Sequence, residues 1–309
     1  MKIFLWLVLL SSVVSMSCLE PPRDNPYDPN NPNKGSLAGT AYDYRWNAFE
    51  GAQVNLKIGG HVIYSTETDG EGWYEFPEVA AGVYTLTAEA EYYNTLYYDD
   101  VEIKSYYNID TFDLYFQELY FHFDNETPGT QEPYGFRKLL GDWQIQEDAG
   151  QPEQHSIPNV YKGLHNGSST PFAVSVFNDT LEDFWIGTGI RVLGSSTGWA
   201  AGLVLRYQDV NNFYFVEFTA DALSLIKVRN GNSTQLETVD THTFATDTWY
   251  RISAYTHDEL IKVYLDYDEL FEIEDTSSPI YSGAAGLWLR TSEPAGQATA
   301  HFDDVRIWP

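Results

Sequence analysis

The chain has 309 residues, enough for two domains of ordinary size, and a formal net charge of −28. Such a charge disfavours nucleic acid and anionic lipid surfaces as partners. Divalent cations or neutral polymers suit it better, unless the acidity only keeps a secreted surface soluble. Aromatic residues make up 16% of the chain, and long amphipathic helical patterns are missing. Because aromatic side chains favour strands, the composition predicts an all-β protein.

The N-terminal residues 1–17 predict a secretory signal peptide, with Lys2, an apolar run and then small residues. The only cysteine, Cys18, follows at the predicted cleavage point. The arrangement resembles a bacterial lipoprotein signal, in which this cysteine carries the acyl chains that fix a protein to a membrane. Ser15 stands where the resemblance expects Leu, Val or Ile, so an ordinary signal peptide cut nearby is the alternative. With one cysteine there is no disulfide framework.

Residues 18–34 are rich in Pro and Asn and predict an extended tether that lifts the protein off the membrane. Leu19 follows the cysteine, whereas Asp at that position resembles an inner-membrane retention signal of some bacteria. We therefore expect a lipid-anchored protein at the bacterial outer membrane or cell surface.

Short strand patterns recur between turn signals over residues 35–118. Asp69-Gly70 supports a tight turn, and Gly82 allows a sharp entry into the next strand. Together with Gly51-Ala52-Gln53-Val54, these motifs resemble the carboxypeptidase regulatory-like domain. The resemblance implies a small transthyretin-like β-sandwich that acts as a spacer without chemistry of its own.

A tyrosine-rich stretch departs from a plain spacer. Two interpretations remain for it: an adhesive edge, or large side chains that cover a small core. Its members are Tyr92, Tyr93, Tyr97, Tyr98, Tyr106 and Tyr107.

Residues 119–309 show many strand patterns at regular spacing, separated by Gly and Asn-Asp turns, and so predict a two-sheet sandwich. The segments Phe123-Asp124-Asn125-Glu126, Trp249-Tyr250-Arg251-Ile252 and Gly286-Leu287-Trp288 are among those that resemble the laminin G-like branch of the concanavalin A-like lectin and glucanase superfamily. The resemblance implies a jelly roll, and its members include sugar-binding modules and a domain associated with keto-disaccharide hydrolysis.

Sugar sites combine aromatic faces with polar groups for the hydroxyls. The best such cluster lies on two strands joined by the turn at residues 209–212, where either a ligand site or a solvated cross-strand ion pair is expected. Trp185 is a further platform or a core residue, and we predict Trp143, Trp249 and Trp288 in the core. The predicted carbohydrate-binding residues are Arg206, Tyr207, Asp209, Tyr214, Glu217 and Trp199.

Acidic residues near both ends of the second domain suggest a structural calcium site. In the resembled superfamily the first and last strands are commonly neighbours, which would bring Asp124 close to Asp303 and Asp304. Calcium takes six to eight oxygen ligands, so these carboxylates could clamp the two termini together. The alternative is that they cap strand ends and face solvent.

Paired carboxylates for glycoside hydrolysis are poorly represented. Glu269, Glu272 and Glu274 come nearest, but their spacing differs from the Glu-x-Asp-x-x-Glu string of jelly-roll glucanases. The main hypothesis is therefore a surface lipoprotein that binds carbohydrate without cleaving it. The first alternative is a glycoside or keto-disaccharide hydrolase. The second alternative is an adhesive or scaffold protein that binds a protein partner.

Overall fold

The computed structural model of the chain describes residues 33–105, 110–148, 156–167, 170–194, 198–293 and 296–309. These residues form 23 strands, and the predicted all-β class is confirmed. In this part of the chain no helix is long and apolar enough to cross a membrane. The predicted signal peptide, Cys18 and nearly all of the tether lie outside the described residues and stay predictions.

The first eight strands form two facing sheets with the order β4-β1-β7, where β8 also pairs with β1, and β3-β2-β5-β6. Alternate residues of these strands point into one apolar core, which contains Leu37, Val54, Tyr74 and Leu86. The strands are β1 (Lys34–Tyr42), β2 (Gln53–Ile58), β3 (His61–Glu67), β4 (Trp73–Ala80), β5 (Gly82–Glu89), β6 (Leu96–Ile103), β7 (Asp110–Thr111) and β8 (Leu114–Tyr115).

Tight turns join these strands where the sequence predicts them. The carboxylate of Asp69 accepts the backbone N–H groups of Glu71 and Trp73, both at 2.9 Å, and so fixes the turn from β3 into β4. Gly60 adopts a φ of 83° in the turn between β2 and β3.

The remaining strands form a larger sandwich. They are β9 (Leu119–Phe121), β10 (Phe136–Leu140), β11 (Asp142–Glu147), β12 (Asn159–Asn166), β13 (Ala173–Phe177), β14 (Phe184–Val192), β15 (Trp199–Asp209), β16 (Asn212–Phe218), β17 (Leu223–Arg229), β18 (Asn232–Val239), β19 (Trp249–His257), β20 (Leu260–Leu265), β21 (Asp268–Glu274), β22 (Ala284–Thr291) and β23 (Gln297–Trp308). A seven-stranded sheet has the order β10-β13-β22-β15-β16-β17-β18. An eight-stranded sheet has the order β11-β12-β23-β14-β19-β20-β21, with β9 on β23.

The inner faces of these two sheets share one large core, in which Trp143 is buried as predicted. The seven-stranded sheet is covered on its outer face as well. There Phe215 stacks on Trp288 with ring centroids 4.6 Å apart, and Phe172 lies 5.5 Å from Phe213. We call Phe172, Phe213, Phe215 and Trp288 the outer aromatic cluster. Because they pack mainly on one another, this face is closed.

The tyrosine-rich stretch contributes to both sandwiches. Tyr98 packs against the first core, and Tyr97 is exposed. Tyr92 stacks on Tyr134 of the second sandwich at 4.0 Å, and Tyr93 forms a β-bridge with Leu119. Tyr106 and Tyr107 lie outside the described residues. The stretch therefore mainly covers apolar surface, at the first core and at the junction.

Polar contacts reinforce the junction. The Tyr44 hydroxyl donates a hydrogen bond to Asp179, and the Arg45 guanidinium forms an ion pair with the same carboxylate. Arg45 and Tyr44 donate to Asp179, so its pKa stays below the usual range although burial opposes ionisation.

Candidate functional site

Arg206, the centre of the predicted sugar site, is buried and serves the fold. Its side chain is 1% exposed and leaves a bulge of β15 at a φ of 49°. The guanidinium donates to the backbone carbonyls of Glu182 at 2.9 Å, Asp258 at 2.6 Å and Ile280 at 2.9 Å. These three bonds tie loops together at one end of the sandwich and leave no donor face for a ligand on the surface.

Tyr214 is buried in the same region. Its hydroxyl donates to Asp275 at 2.6 Å and accepts the backbone N–H of Ile280 at 2.9 Å. Burial raises the pKa of Tyr214 far above its usual value. Asp275 also accepts from the Lys227 ammonium at 2.7 Å. Burial alone would raise the pKa of Asp275, but the donors Lys227 and Tyr214 hold it below the usual range.

The other predicted sugar-binding residues lie apart from these two. Glu217 pairs with Arg290, and Tyr207 packs on Phe213, both on the outer face of the seven-stranded sheet. Trp199 is buried against Phe218, with ring centroids 5.2 Å apart.

Asp209 accepts the backbone N–H of Asn211 at 2.7 Å and thereby fixes the hairpin turn. The pleat and the bulge send Arg206 and Tyr214 to the inner side and Tyr207 and Glu217 to the outer side. The predicted set therefore does not form one surface site in this structure.

The three predicted calcium ligands lie near one another, each with a protein donor. Asp124 accepts the N–H of Asn159 at 3.0 Å, and Asp304 accepts the Tyr120 hydroxyl at 2.6 Å. Asp303 accepts the Ser156 hydroxyl at 3.1 Å.

Burial, together with the carboxylates of Asp304 and Asp124, raises the pKa of Asp303 to about 9. Among the described residues no group of three His, Cys, Asp or Glu side chains is arranged to hold a metal ion. The arrangement does not fit a calcium cage, and calcium stays a prediction.

A row of three aromatic residues crosses the outer face of the eight-stranded sheet. Trp185 in β14 stands directly opposite Tyr255 in β19 and Trp308 in β23. Directly opposed residues of neighbouring strands point to the same face, so the three rings share one surface. They form the floor of a cleft of about 640 Å³, which we call the aromatic cleft. Trp308 is 53% exposed.

Gly187 sets the orientation of the central ring. A Cβ atom at Gly187 would lie 2.5 Å from the Trp185 ring, so the indole lies over this glycine. Gly187 follows Trp185 by two residues on the same face of β14. The indole therefore lies along the sheet and exposes one face to the cleft.

Carboxylates stand at the rim of the aromatic cleft. Asp183 contacts His257 Nδ1 at 2.8 Å through one oxygen, and its other oxygen accepts from Arg206 at 3.2 Å. Glu118 accepts from Arg306 at 3.3 Å. Arg206 thus acts on the cleft indirectly, by positioning Asp183.

The row continues beyond Tyr255 with charged residues. Tyr255 is paired with Lys262 in β20, and Lys262 with Glu272 in β21. The Lys262 ammonium forms ion pairs with both Glu269 and Glu272. Glu269 and Glu272, two of the three carboxylates that came nearest to a catalytic pattern, are therefore bound to one lysine at the sheet edge.

Sequence reasoning considered Trp185 as a platform but missed Tyr255 and Trp308. The alternation of Trp185, Gly187 and Gly189 in β14 was a signal that this face carries a large ring beside small residues. The partners of Trp185 on neighbouring strands could not be predicted from the sequence, because β23 lies more than a hundred residues along the chain from β14. Trp249, predicted in the core, is half-buried on this outer face, with Arg191 over its ring at 5.2 Å.

Part of the chain matches a known protein family. Residues 36–112 match the family model of the carboxypeptidase regulatory-like domain. No curated protein matches the chain in sequence.

Solved structures resemble the second sandwich at low identity. A carbohydrate-binding module of Bacillus subtilis is 20% identical, with a TM-score of 0.44, over 56% of this chain and 94% of its own. A β-glucanase of Bacillus licheniformis is 13% identical, with a TM-score of 0.45, over 62% of this chain and 98% of its own. The cellulose-induced protein Cip1 is 14% identical, with a TM-score of 0.46, over 61% of this chain and 96% of its own. At these scores the likenesses assign no activity to this chain. Residues 36–112 thus match the carboxypeptidase regulatory-like family model, and a larger two-sheet β-sandwich follows them.

Proposed function

We propose that the second sandwich binds a neutral carbohydrate chain in the aromatic cleft without cleaving it. The main support for this proposal is the row of aromatic rings formed by Trp308, Trp185 and Tyr255. Ligand sites for sugars combine apolar ring faces with a few polar groups that fix orientation. Pyranose rings present C–H groups on their faces, which pack on aromatic rings, and hydroxyls at their edges, which the rim carboxylates can accept.

The charge of the cleft selects against acidic glycans. Glu118 and Asp183 stand at the rim, and the whole chain carries a formal net charge of −28. Carboxylates accept hydrogen bonds from hydroxyl groups but repel carboxylate or sulfate groups of a ligand. A neutral polysaccharide therefore suits the cleft better than a polyuronate or a sulfated glycan.

The polar groups of the cleft support binding rather than hydrolysis. Glycoside hydrolysis needs two carboxyl groups that flank the scissile bond, one of them with a raised pKa. Asp183 is hydrogen-bonded to His257 and Arg206, and Glu118 pairs with Arg306. Both carboxylates are thus already held by Arg or His side chains.

Affinity electrophoresis and calorimetry on a defined panel test the proposal. The panel contains hydroxyethylcellulose, xylan, galactomannan and laminarin, with polygalacturonate as the acidic member. Trp308→Ala should weaken binding to the best neutral ligand by about 10- to 30-fold, because exposed aromatic anchors dominate such sites. Tyr267→Ala is the matched control, since Tyr267 is more exposed than Trp308 and lies outside the cleft.

Two results would count against the proposal. The first is equal affinity of Trp308→Ala and the unaltered protein for the same ligand. The second is no binding to any member of the panel, which would favour an adhesive role with a protein partner. Release of reducing ends from a bound polysaccharide would favour the hydrolase instead.

We further propose that Cys18 is acylated and that the tether presents both sandwiches at the surface of a bacterial cell. The signal-like residues 1–17 and the Pro and Asn content of residues 18–34 support this. Labelling with an alkyne palmitate in a lipoprotein-processing host tests it. Cys18→Ser should lose the label and leave the membrane fraction. Equal labelling of both forms would contradict the anchor.

A further inference from the structure

The first sandwich exposes an aromatic surface of its own. Trp46 is 66% exposed and lies against Tyr115, with ring centroids 5.2 Å apart. Tyr115 stacks on Tyr42 at 5.6 Å, with ring planes 12° apart. We call Trp46, Tyr115 and Tyr42 the aromatic patch. Single exposed apolar residues are ordinary, whereas a contiguous exposed apolar patch points to an interaction site.

The loop that carries Trp46 holds the indole outward. Trp46 has a φ of 64°, a backbone conformation that bulky residues rarely adopt. The carboxylate of Asp43 accepts the N–H groups of Arg45 at 2.9 Å and Asn47 at 2.8 Å, and so fixes the loop on both sides of the tryptophan. Unfavourable backbone conformations that surrounding contacts enforce are typical of binding sites.

The aromatic patch lies close to the aromatic cleft. Tyr115 ends β8, and Glu118 at the rim of the cleft follows it by three residues. Three residues span at most about 11 Å, so the Cα atoms of Tyr115 and Glu118 lie within that distance of each other. The junction holds them together, because Arg45 beside Trp46 forms an ion pair with Asp179 of the second sandwich.

We propose that one glycan chain contacts both the aromatic cleft and the aromatic patch. The inference rests on the proposed function and deepens it, because it makes the ligand a polymer longer than the cleft rather than a mono- or disaccharide. The first sandwich then supplies binding subsites as well as a spacer. Both surfaces offer exposed ring faces, and the junction fixes the distance between them, so a long chain gains contacts without a second association step.

Chain-length dependence tests the inference on the full mature protein. Trp46→Asn removes the indole and keeps a residue that accepts the left-handed backbone. Tyr267→Asn is its matched control, because Tyr267 is also exposed and has a φ of 75°. The probes are cellobiose and hydroxyethylcellulose, or the disaccharide and polymer of whichever panel member binds best.

We expect Trp46→Asn to lower affinity for the polymer by about 3- to 10-fold, the value of one aromatic contact, and to leave disaccharide affinity unchanged. Trp308→Ala should lower both. Unchanged polymer affinity in Trp46→Asn, beside a loss in Trp308→Ala, would overturn the extended site and leave the cleft intact. An equal loss for both probes in Trp46→Asn would also overturn it. No binding by the unaltered protein would overturn the cleft as well.

Discussion

Loss of the Lys227 ammonium should destabilise the second sandwich far more than a surface charge would. Lys227 and Asp275 are both buried, and their charged atoms lie 2.7 Å apart. Lys227→Met leaves the Asp275 carboxylate without its cation in a place that water does not reach. Breaking a buried ion pair from one side costs about 3–5 kcal/mol of unfolding free energy. In a domain of this size that corresponds to a fall in Tm of about 6–20 °C.

The double variant separates the unpaired charge from lost packing. In Lys227→Met with Asp275→Asn no charge remains, and the amide oxygen of Asn can replace one of the two carboxylate oxygens, which now accept the Tyr214 hydroxyl at 2.6 Å and the N–H of Ser277 at 3.1 Å. Replacing both partners of a buried pair is often close to neutral. We therefore expect the double variant to recover at least half of the lost Tm, measured by calorimetry.

Two results would refute this reasoning. One is a Lys227→Met variant whose Tm stays within about 2 °C of the unaltered protein, the shift that about 0.5–1 kcal/mol produces. The other is additivity of the two substitutions in the double variant. Glycan affinity provides the control, because Lys227 lies outside the aromatic cleft and each variant should bind as the unaltered protein does while folded.

Two further predictions concern the outer face of the eight-stranded sheet. Gly187→Ala should displace the Trp185 ring, which a Cβ would meet at 2.5 Å, and so weaken glycan binding several-fold; unchanged affinity by calorimetry would show that the ring orientation is unimportant. Asp303 has a folded pKa of about 9, above its unfolded value, so its contribution to stability is present at low pH and is lost as the pH rises from about 4 to 9. Asp303→Asn should therefore reduce the fall in Tm between pH 5 and pH 9 on chelator-treated protein. A steeper fall in the variant would contradict a raised pKa of Asp303, and a calcium-dependent rise in Tm only in the unaltered protein would indicate that Asp303 binds calcium as a carboxylate.

The sequence was sufficient for the strands and their turns because both depend on short-range patterns. The turn at Asp69 and the hairpin at Asp209 are fixed by side chains that bond to backbone N–H groups two residues later. The alternation of apolar core residues, Val54 and Leu56 in β2 and Tyr84, Leu86 and Ala88 in β5, likewise needs only neighbouring positions. The all-β fold class was therefore predicted correctly, and residues 36–112 of the segment predicted as a regulatory-like domain match that family model.

The site could not be predicted in the same way. The expectation of a sugar site around Arg206 assumed that one face of β15 and β16 meets solvent, as in many antiparallel sheets. In β16 every residue after Asn212 is buried, because the outer aromatic cluster covers the second face. Nothing local distinguishes Phe213 and Phe215, which close this cluster, from rings that would bind a sugar. Which face stays open depends on pairing between strands that are distant in sequence.

The contrast between the two outer faces supplies a last prediction. Trp288 of the outer aromatic cluster is buried and stacks on Phe215, whereas Trp308 of the aromatic cleft is half-exposed. Trp288→Ala should leave a cavity and cost about 3–5 kcal/mol of unfolding free energy, with little effect on glycan affinity while the protein is folded. Trp308→Ala should change Tm little and lose affinity. If instead Trp288→Ala abolished binding with an unchanged Tm, the outer face of the seven-stranded sheet would be the ligand site, and its aromatic rings would have to separate to admit a sugar.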